Sequence, residues 1–365
     1  MSYSDRMNRL RQRMAETATD LVAVGPSSHM RWLAGLAPHG DERPVMILVG
    51  PRGAAMLMPA LNADSQRPLT ELPFFTWSDD EGPAKALAAL LADIGATRSG
   101  MSVALDETMR ADFALLVLAA LRQPKHKFTH DTVAALRARK DEAEYRALKA
   151  NALLNDGAMR AAFAALRPGV TEAEVATVVI DYYRANGASR EFTSVCFGGN
   201  GAFPHHHTGE TRLAADQAVL IDIGGRSQGY PSDMTRVAHL GQPGAEFTKV
   251  HEIVDRAVRA ALATARPGVK AKAVDKAARD IIAAAGYGDR FLHRTGHGLG
   301  IDVHETPYIT ATSETVLEEG MVFSIEPGIY LPGQFGLRLE EIVILRADGP
   351  EVLSELPRTT YIAAP

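Results

Sequence analysis

The stretch AAFAALRPGV at 161–170 returns as AALATARPGV at 260–269, 99 residues later. Both read as the last turns of an Ala-rich helix stopped by Arg-Pro-Gly, since neither proline nor glycine extends a helix well. The same displacement carries Gly187 onto Gly286 and His205 onto His304. Farther on the offset widens by a few residues, as loops of unequal length require. Val219-Leu220-Ile221-Asp222-Ile223-Gly224 then faces Val322-Phe323-Ser324-Ile325-Glu326-Pro327-Gly328. Each is a short apolar run of buried-strand type, carrying one carboxylate before a turn. Chance produces similar Ala-rich helices, but a shared RPGV together with matched acids predicts an internal duplication. Two βαβ-type halves are expected to pack about a pseudo-twofold, with a site where they meet.

Upstream, the first 125 residues read as a mixed α/β module. Helices are expected over 5–17, 84–94 and 112–121, and strands over 20–24, 45–49, 54–58 and 102–105. The segment RARKDEAEYRALK at 137–149 predicts one charged amphipathic helix with a solvated face, and a domain boundary falls just before it, near 129–133. The expected organisation is an N-terminal domain over 1–128, a linker and first helix over 129–150, and a larger domain over 136–365.

At 365 residues the chain is long enough for two or three domains. Apolar residues make up 46% and charged residues 23%, which excludes disorder and fibrous repeats. Lys and Arg number 39 against 44 Asp and Glu, a net charge of -5 with no basic block, so nucleic acid is not an expected partner. The longest apolar stretch, near 113–121, falls short of the roughly 20 residues that cross a bilayer. Met1-Ser2-Tyr3-Ser4-Asp5-Arg6 carries no apolar run of signal-peptide type. A cytoplasmic protein with no membrane partner is expected. Cys196 is the only cysteine, which excludes an intrachain disulfide and a thiolate metal cage.

Five residues stand out as candidate metal ligands: Asp222, Asp233, His297, Glu326 and Glu340. Four carboxylates and one imidazole form a hard, oxygen-rich set suited to Mn, Co, Fe or Zn rather than Cu. Asp222 and Glu326 lie in apolar strand patterns, where an unpaired carboxylate is costly to bury. Glu340 lies in another, Gly336-Leu337-Arg338-Leu339-Glu340-Glu341-Ile342-Val343. One such acid is ordinarily a surface or salt-bridge residue; a set in matching strands is not. Gly198-Gly199-Asn200-Gly201 lacks a following P-loop lysine and reads as a turn. His293 and His297 are spaced HxxxH, but glycines interrupt the helix that a zinc site of that kind needs, and no catalytic Glu adjoins. Of His205-His206-His207, the duplication singles out His205; Cys196 reads as a buried strand residue.

With these motifs assembled, the C-terminal part resembles the pita-bread metallopeptidases, in the group of Xaa-Pro dipeptidases (prolidases) and Xaa-Pro aminopeptidases. The resemblance rests on Ile221-Asp222-Ile223-Gly224, Ser232-Asp233-Met234-Thr235-Arg236, Gly296-His297-Gly298-Leu299-Gly300, Val303-His304-Glu305, Ile325-Glu326-Pro327-Gly328 and Arg338-Leu339-Glu340, and spans roughly 136–365. The N-terminal module is similar to the creatinase/prolidase type, where Met30-Arg31-Trp32-Leu33-Ala34-Gly35-Leu36 resembles the usual strand-turn segment. Implied is an α/β (α+β) fold: a C-terminal pita-bread domain of pseudo-twofold halves, plus a smaller N-terminal α/β domain.

The resemblance also implies two divalent ions per chain, manganese ahead of cobalt, zinc and iron. Asp222 would chelate one, Asp233 and Glu340 would bridge the pair, and His297 and Glu326 would complete the second. A hydroxide held between two cations is a competent nucleophile near neutral pH. Glu326 would serve as general base and His304 as donor to the oxyanion. His205 would hold the residue after the scissile bond, and Arg338 would orient Glu340 or meet a substrate carboxylate. The implied reaction is hydrolysis of the Xaa-Pro bond in dipeptides or short peptides with a free N-terminus, by a homodimer. Many dipeptidases of this family capture the substrate carboxylate with an arginine in the loop before Glu326. Here that loop reads Thr310-Ala311-Thr312-Ser313, and Arg294 is the candidate substitute.

Other readings make different demands. An Xaa-Pro aminopeptidase would share every ligand and act on longer peptides. A creatine-hydrolysing relative would have lost metal ligands, and a non-catalytic binding protein has no reason to keep five ligands and both histidines. A methionine aminopeptidase is disfavoured by the N-terminal module and by the short interval from Glu326 to Glu340.

Overall fold

Ser2 opens the first helix with a capping box: its hydroxyl accepts from Asp5 N, while the Asp5 carboxylate accepts from Ser2 N. The structure, a computed structural model, describes residues 1–365 and divides into two units, Met1–Arg137 and Ala138–Pro365.

The first unit runs α1 (Tyr3–Glu16), β1 (Leu21–Val24), α2 (Ser28–Ala34), β2 (Met46–Val49), β3 (Ala54–Pro59), α3 (Ala60–Gln66), β4 (Phe74–Trp77), α4 (Ala84–Asp93), β5 (Ser102–Leu105), α5 (Ala111–Ala119) and β6 (Lys125–Phe128), with α6 (Val133–Ala138) at its end. Its six strands are ordered β4-β3-β2-β1-β5-β6. β2 is antiparallel to both neighbours, and the remaining pairs are parallel. Leu21, Met46, Leu48 and Val103 of the sheet pack against Leu87 and Leu90 of α4 and Phe113 and Val117 of α5. The segment expected as strand-turn near Met30 is instead helix α2. Ser27 Oγ accepts from His29 N and Met30 N at its start, and Gly35 ends it in the left-handed region at φ 71°.

The single helix expected over 137–149 is broken. The charge pattern runs on unbroken, but Asp141 caps α7 (Glu142–Ala164) in a capping box with Glu144, and Arg139 bridges Met321. The second unit continues with α8 (Glu172–Ala185), β7 (Ser189–Phe197), β8 (Ala218–Ser227), β9 (Tyr230–Pro231), β10 (Met234–Leu240), α9 (Ala245–Thr264) and α10 (Ala271–Ala284). Then follow β11 (Gly296–Gly298), β12 (Glu305–Ile309), β13 (Val322–Ile325), β14 (Gly328–Leu331), β15 (Phe335–Arg338), β16 (Glu341–Arg346), β17 (Gly349–Val352) and β18 (Tyr361–Ala363). No helix is long and apolar enough to cross a membrane.

The duplication is visible in the hydrogen bonds. After each RPGV, Gly169 N donates to Leu213 O and Gly268 N to Leu317 O, both at 2.8 Å, and Leu213 N and Leu317 N return to Val170 O and Val269 O. Each half then builds an antiparallel three-strand core, β7-β8-β10 in one and β11-β13-β16 in the other. β18 extends the first sheet, and β12 and β17 flank the second. Alternation sets the faces. In β8, Val219, Ile221 and Ile223 pack with α7 and α8, and in β13 Phe323 and Ile325 pack with α9 and α10. Asp222 and Glu326, one residue out of phase, therefore point away from the helices in both halves.

Candidate metal centre

The hairpin β8–β10 sets Thr235 directly across from Asp222, with Asp233 just before β10. Thr235 Oγ1 lies 3.0 Å from both Asp222 Oδ1 and Glu340 Oε2, and accepts from Arg338 Nε at 2.9 Å. One hydroxyl thus links the acids of two segments. Arg338, buried, also donates to Asp222 Oδ2 at 2.7 Å and to Tyr330 OH at 2.8 Å. It reaches Glu340 only through Thr235. Its contacts lie inside the centre, and it also lines the cavity.

His297 sits in β11 between two glycines, and sterics explain both. A Cβ on Gly296 would stand 1.9 Å from Ser324 O, and one on Gly298 would stand 2.3 Å from Thr306 O. The strand runs so close to β12 and β13 that only His297 can carry a side chain there. Ser324, two residues before Glu326 and on the same face, accepts from His297 N at 2.9 Å and donates to Glu326 Oε1 at 3.0 Å. In the second half it plays the part that Thr235 plays in the first.

These residues fit a cation. Nδ1 of His297 is 3.1 Å from Gly298 O, a carbonyl that only accepts, so Nδ1 carries the proton. Nε2 then faces Glu326 Oε1 at 3.2 Å and Asp233 Oδ2 at 3.6 Å. A backbone carbonyl behind the ring, with the other nitrogen turned toward acids, is the usual support for a metal-binding histidine. Donor atoms of Asp233, His297 and Glu340 all lie within 4.8 Å of one another. Glu340 Oε1 is buried with no hydrogen-bond partner.

Electrostatics agree. Burial, reinforced by neighbouring acids, lifts Asp233 and Glu340 well above the usual carboxylate range; burial also lifts Asp222 despite Arg338. Burial opposes ionisation of Glu326 too, but the His297 hydrogen bond and the His297 and His293 charges more than offset it, bringing Glu326 to about 2. Protein groups alone leave the cluster short of positive charge. The adjacent acid Glu341 is satisfied differently, by Arg236 at 3.1 Å and Arg358 at 2.9 Å. That pair is structural and lies on the other side of the strand.

All five candidate ligands line one cavity of about 750 Å³, together with His205, His304 and Arg338. The ring of His304 tilts against that of His297 at 4.0 Å between centroids. Burial, then the His297 and Arg294 charges, lowers His304 to about 4, so it is neutral at pH 7. Sequence reasoning missed Thr235, Ser324, Tyr330 and His293, whose Nε2 lies 2.7 Å from Tyr330 OH. The signal for the first two was present: each sits on the ligand face of a strand beside an acid.

The chain belongs to metallopeptidase family M24, whose model matches residues 146–347; the creatinase/prolidase N-terminal domain matches residues 6–139. It is 36% identical over 348 residues to a probable dipeptidase PepE of Mycobacterium tuberculosis, covering 93% of this chain and 91% of that one. It is 30% identical to an Xaa-Pro dipeptidase of Pyrococcus furiosus, covering 97% and 99%. The crystal structure of dipeptidase PepE from Mycobacterium ulcerans superposes with a TM-score of 0.94 at 32% identity, covering 100% and 98%. The second unit accordingly has the pita-bread fold, and the first the creatinase/prolidase fold.

Proposed function

We propose that this chain is a metal-dependent dipeptidase hydrolysing Xaa-Pro dipeptides. Two divalent ions, manganese first, would be held by Asp222, Asp233, His297, Glu326 and Glu340. The observation that carries the reading is His297 Nε2 aimed at Asp233 and Glu326 within a cluster of four buried or half-buried acids. The oxygen-rich donor set favours manganese over softer ions. When bound, the ions acidify a water enough for it to attack a carbonyl near neutral pH.

The chain's own groups supply the rest. Glu326, ionised at neutral pH and fixed by Ser324, takes the proton of the attacking water and returns it to the proline nitrogen as the C–N bond breaks. His304 makes no hydrogen bond within the protein, so its N–H is free to meet the oxygen that gains charge. Arg338 and Thr235 hold Asp222 and Glu340 in place. Arg294 stacks on Tyr308, 4.7 Å from the ring centre, and its guanidinium has no carboxylate partner although it lines the cavity. A free cation there suits the C-terminal carboxylate of a dipeptide. Phe192, Pro204 and Val303 offer the pyrrolidine ring an apolar wall. The buried, unpaired thiol of Cys196 suits a reducing compartment, and a cytoplasmic location is part of the proposal.

An Xaa-Pro bond has no N–H, so a site built on apolar contact with the ring gains nothing from other residues at that position. With manganese supplied, Ala-Pro should be cleaved at least about tenfold faster than Ala-Ala in kcat/KM, or about 1.4 kcal/mol of transition-state binding. Equal rates would end the proline reading. Faster cleavage of Ala-Pro-Ala than of Ala-Pro would make the enzyme an aminopeptidase.

A further inference from the structure

The three consecutive histidines do not share one environment. His205 and His207 are exposed, line the cavity and make no hydrogen bond. Between them, His206 also lines the cavity but is tied down, its Nε2 donating to Glu172 Oε2 at 2.9 Å. Glu172 is the first residue of α8 and is completely buried. Its carboxylate also accepts from Phe197 N at 2.9 Å, Asn200 Nδ2 at 2.8 Å and Gly209 N at 3.0 Å. All four donors come from the single segment 197–209 that carries the histidines. An ionised carboxylate is the one side chain that accepts this many bonds without offering a proton in return.

Other bonds press the same segment onto β7. Ser194 Oγ donates to His206 O at 3.2 Å, and Val195 N donates to Thr208 Oγ1 at 2.8 Å. The chain is therefore pinned on both sides of His206. With the backbone held there and His206 tied to Glu172, His205 and His207 on either side are kept in the cavity lining.

We propose that Glu172 and His206 are positioning residues, a buried clamp that orients His205 and His207 toward the substrate. The proposal rests on the dipeptidase reading for its kinetic consequence, but not for its structural one. The variant His206→Ala removes one charge-assisted bond from the clamp, whereas His206→Gln keeps an amide N–H at about the reach of Nε2. In the Ala variant, hydrogen exchange of the Phe197 and Gly209 amides should speed by about tenfold or more, the scale of one lost bond to a charged group. KM for Ala-Pro should rise by about tenfold while kcat stays within about threefold and metal content is unchanged, because a binding group is misplaced and the centre is not. The Gln variant should return both readouts to within about twofold of the parent. Unchanged exchange in the Ala variant would overturn the clamp. Faster exchange with KM unaltered, or loss of metal, would overturn its positioning role. If the parent protein cleaves no Xaa-Pro peptide, the dipeptidase reading fails and exchange alone decides the clamp.

Discussion

Asp233→Ala should abolish Ala-Pro hydrolysis and strip the protein of metal. The carboxylate is 6% exposed, lies 3.6 Å from His297 Nε2 and shares a donor cluster with His297 and Glu340. A supporting residue behind a metal ligand typically costs about 10–100-fold in metal affinity when lost. A ligand serving both ions should cost more than about 100-fold, since no neighbouring oxygen can replace it. The fold itself should not suffer. Burial and the charges of Glu340 and Asp222 raise Asp233 well above its ordinary range, so its charge opposes folding at neutral pH. In the presence of a chelator the variant should therefore melt no lower than the parent. Two metals per chain with normal turnover would remove Asp233 from the centre. Metal loss with a collapse in melting temperature would make its role structural.

The second large effect is expected at His304. It contacts the centre only through the face of its ring against His297, and neither ring nitrogen is engaged within the protein. At about 4 it stays neutral through the working range and offers an N–H without the cost of burying a charge. His304→Ala should lower kcat by about 10²–10³, the usual cost of one oxyanion donor, with metal content preserved. KM should move much less, because the ground-state carbonyl oxygen carries little charge. An unchanged kcat, or complete loss of metal, would exclude the proposed role.

What the sequence reveals of this centre, and what it hides, follows from physical cost. A carboxylate in an apolar strand is an expensive anomaly, so Asp222 and Glu326 are legible, and the repeat pairs them through their matching strand patterns. The glycines around His297 rule out a zinc helix in the sequence, while the close packing that requires them shows only in the structure. Partner choice is not legible. Glu340 and Glu341 are adjacent identical acids, yet one lies unpaired at Oε1 in the centre while the other is neutralised by Arg236 and Arg358. They sit at the start of β16, Glu340 just before it and Glu341 its first residue. Nor does the sequence show that Arg338 bonds to Asp222, Thr235 and Tyr330. In the histidine triplet the duplication singles out His205, but the tie of His206 to the buried Glu172, 34 residues upstream, shows only in the structure.

Fold errors have equally local causes. Met30-Arg31-Trp32-Leu33 suits a strand or a helix by composition, and Ser27 with Gly35 decides for the helix at its two ends. The charged segment 137–149 has helical periodicity throughout, but Asp141 is a better N-cap than interior residue and splits it.

The most direct measurement is Ala-Pro turnover by the chelator-treated protein as manganese is added back in stoichiometric steps. Activity should be absent at first and rise to a plateau near two ions per chain, as expected for four acids and one histidine that the protein's own cations do not neutralise. Full turnover after complete metal removal, or no turnover at any manganese concentration, would contradict a metal-dependent dipeptidase.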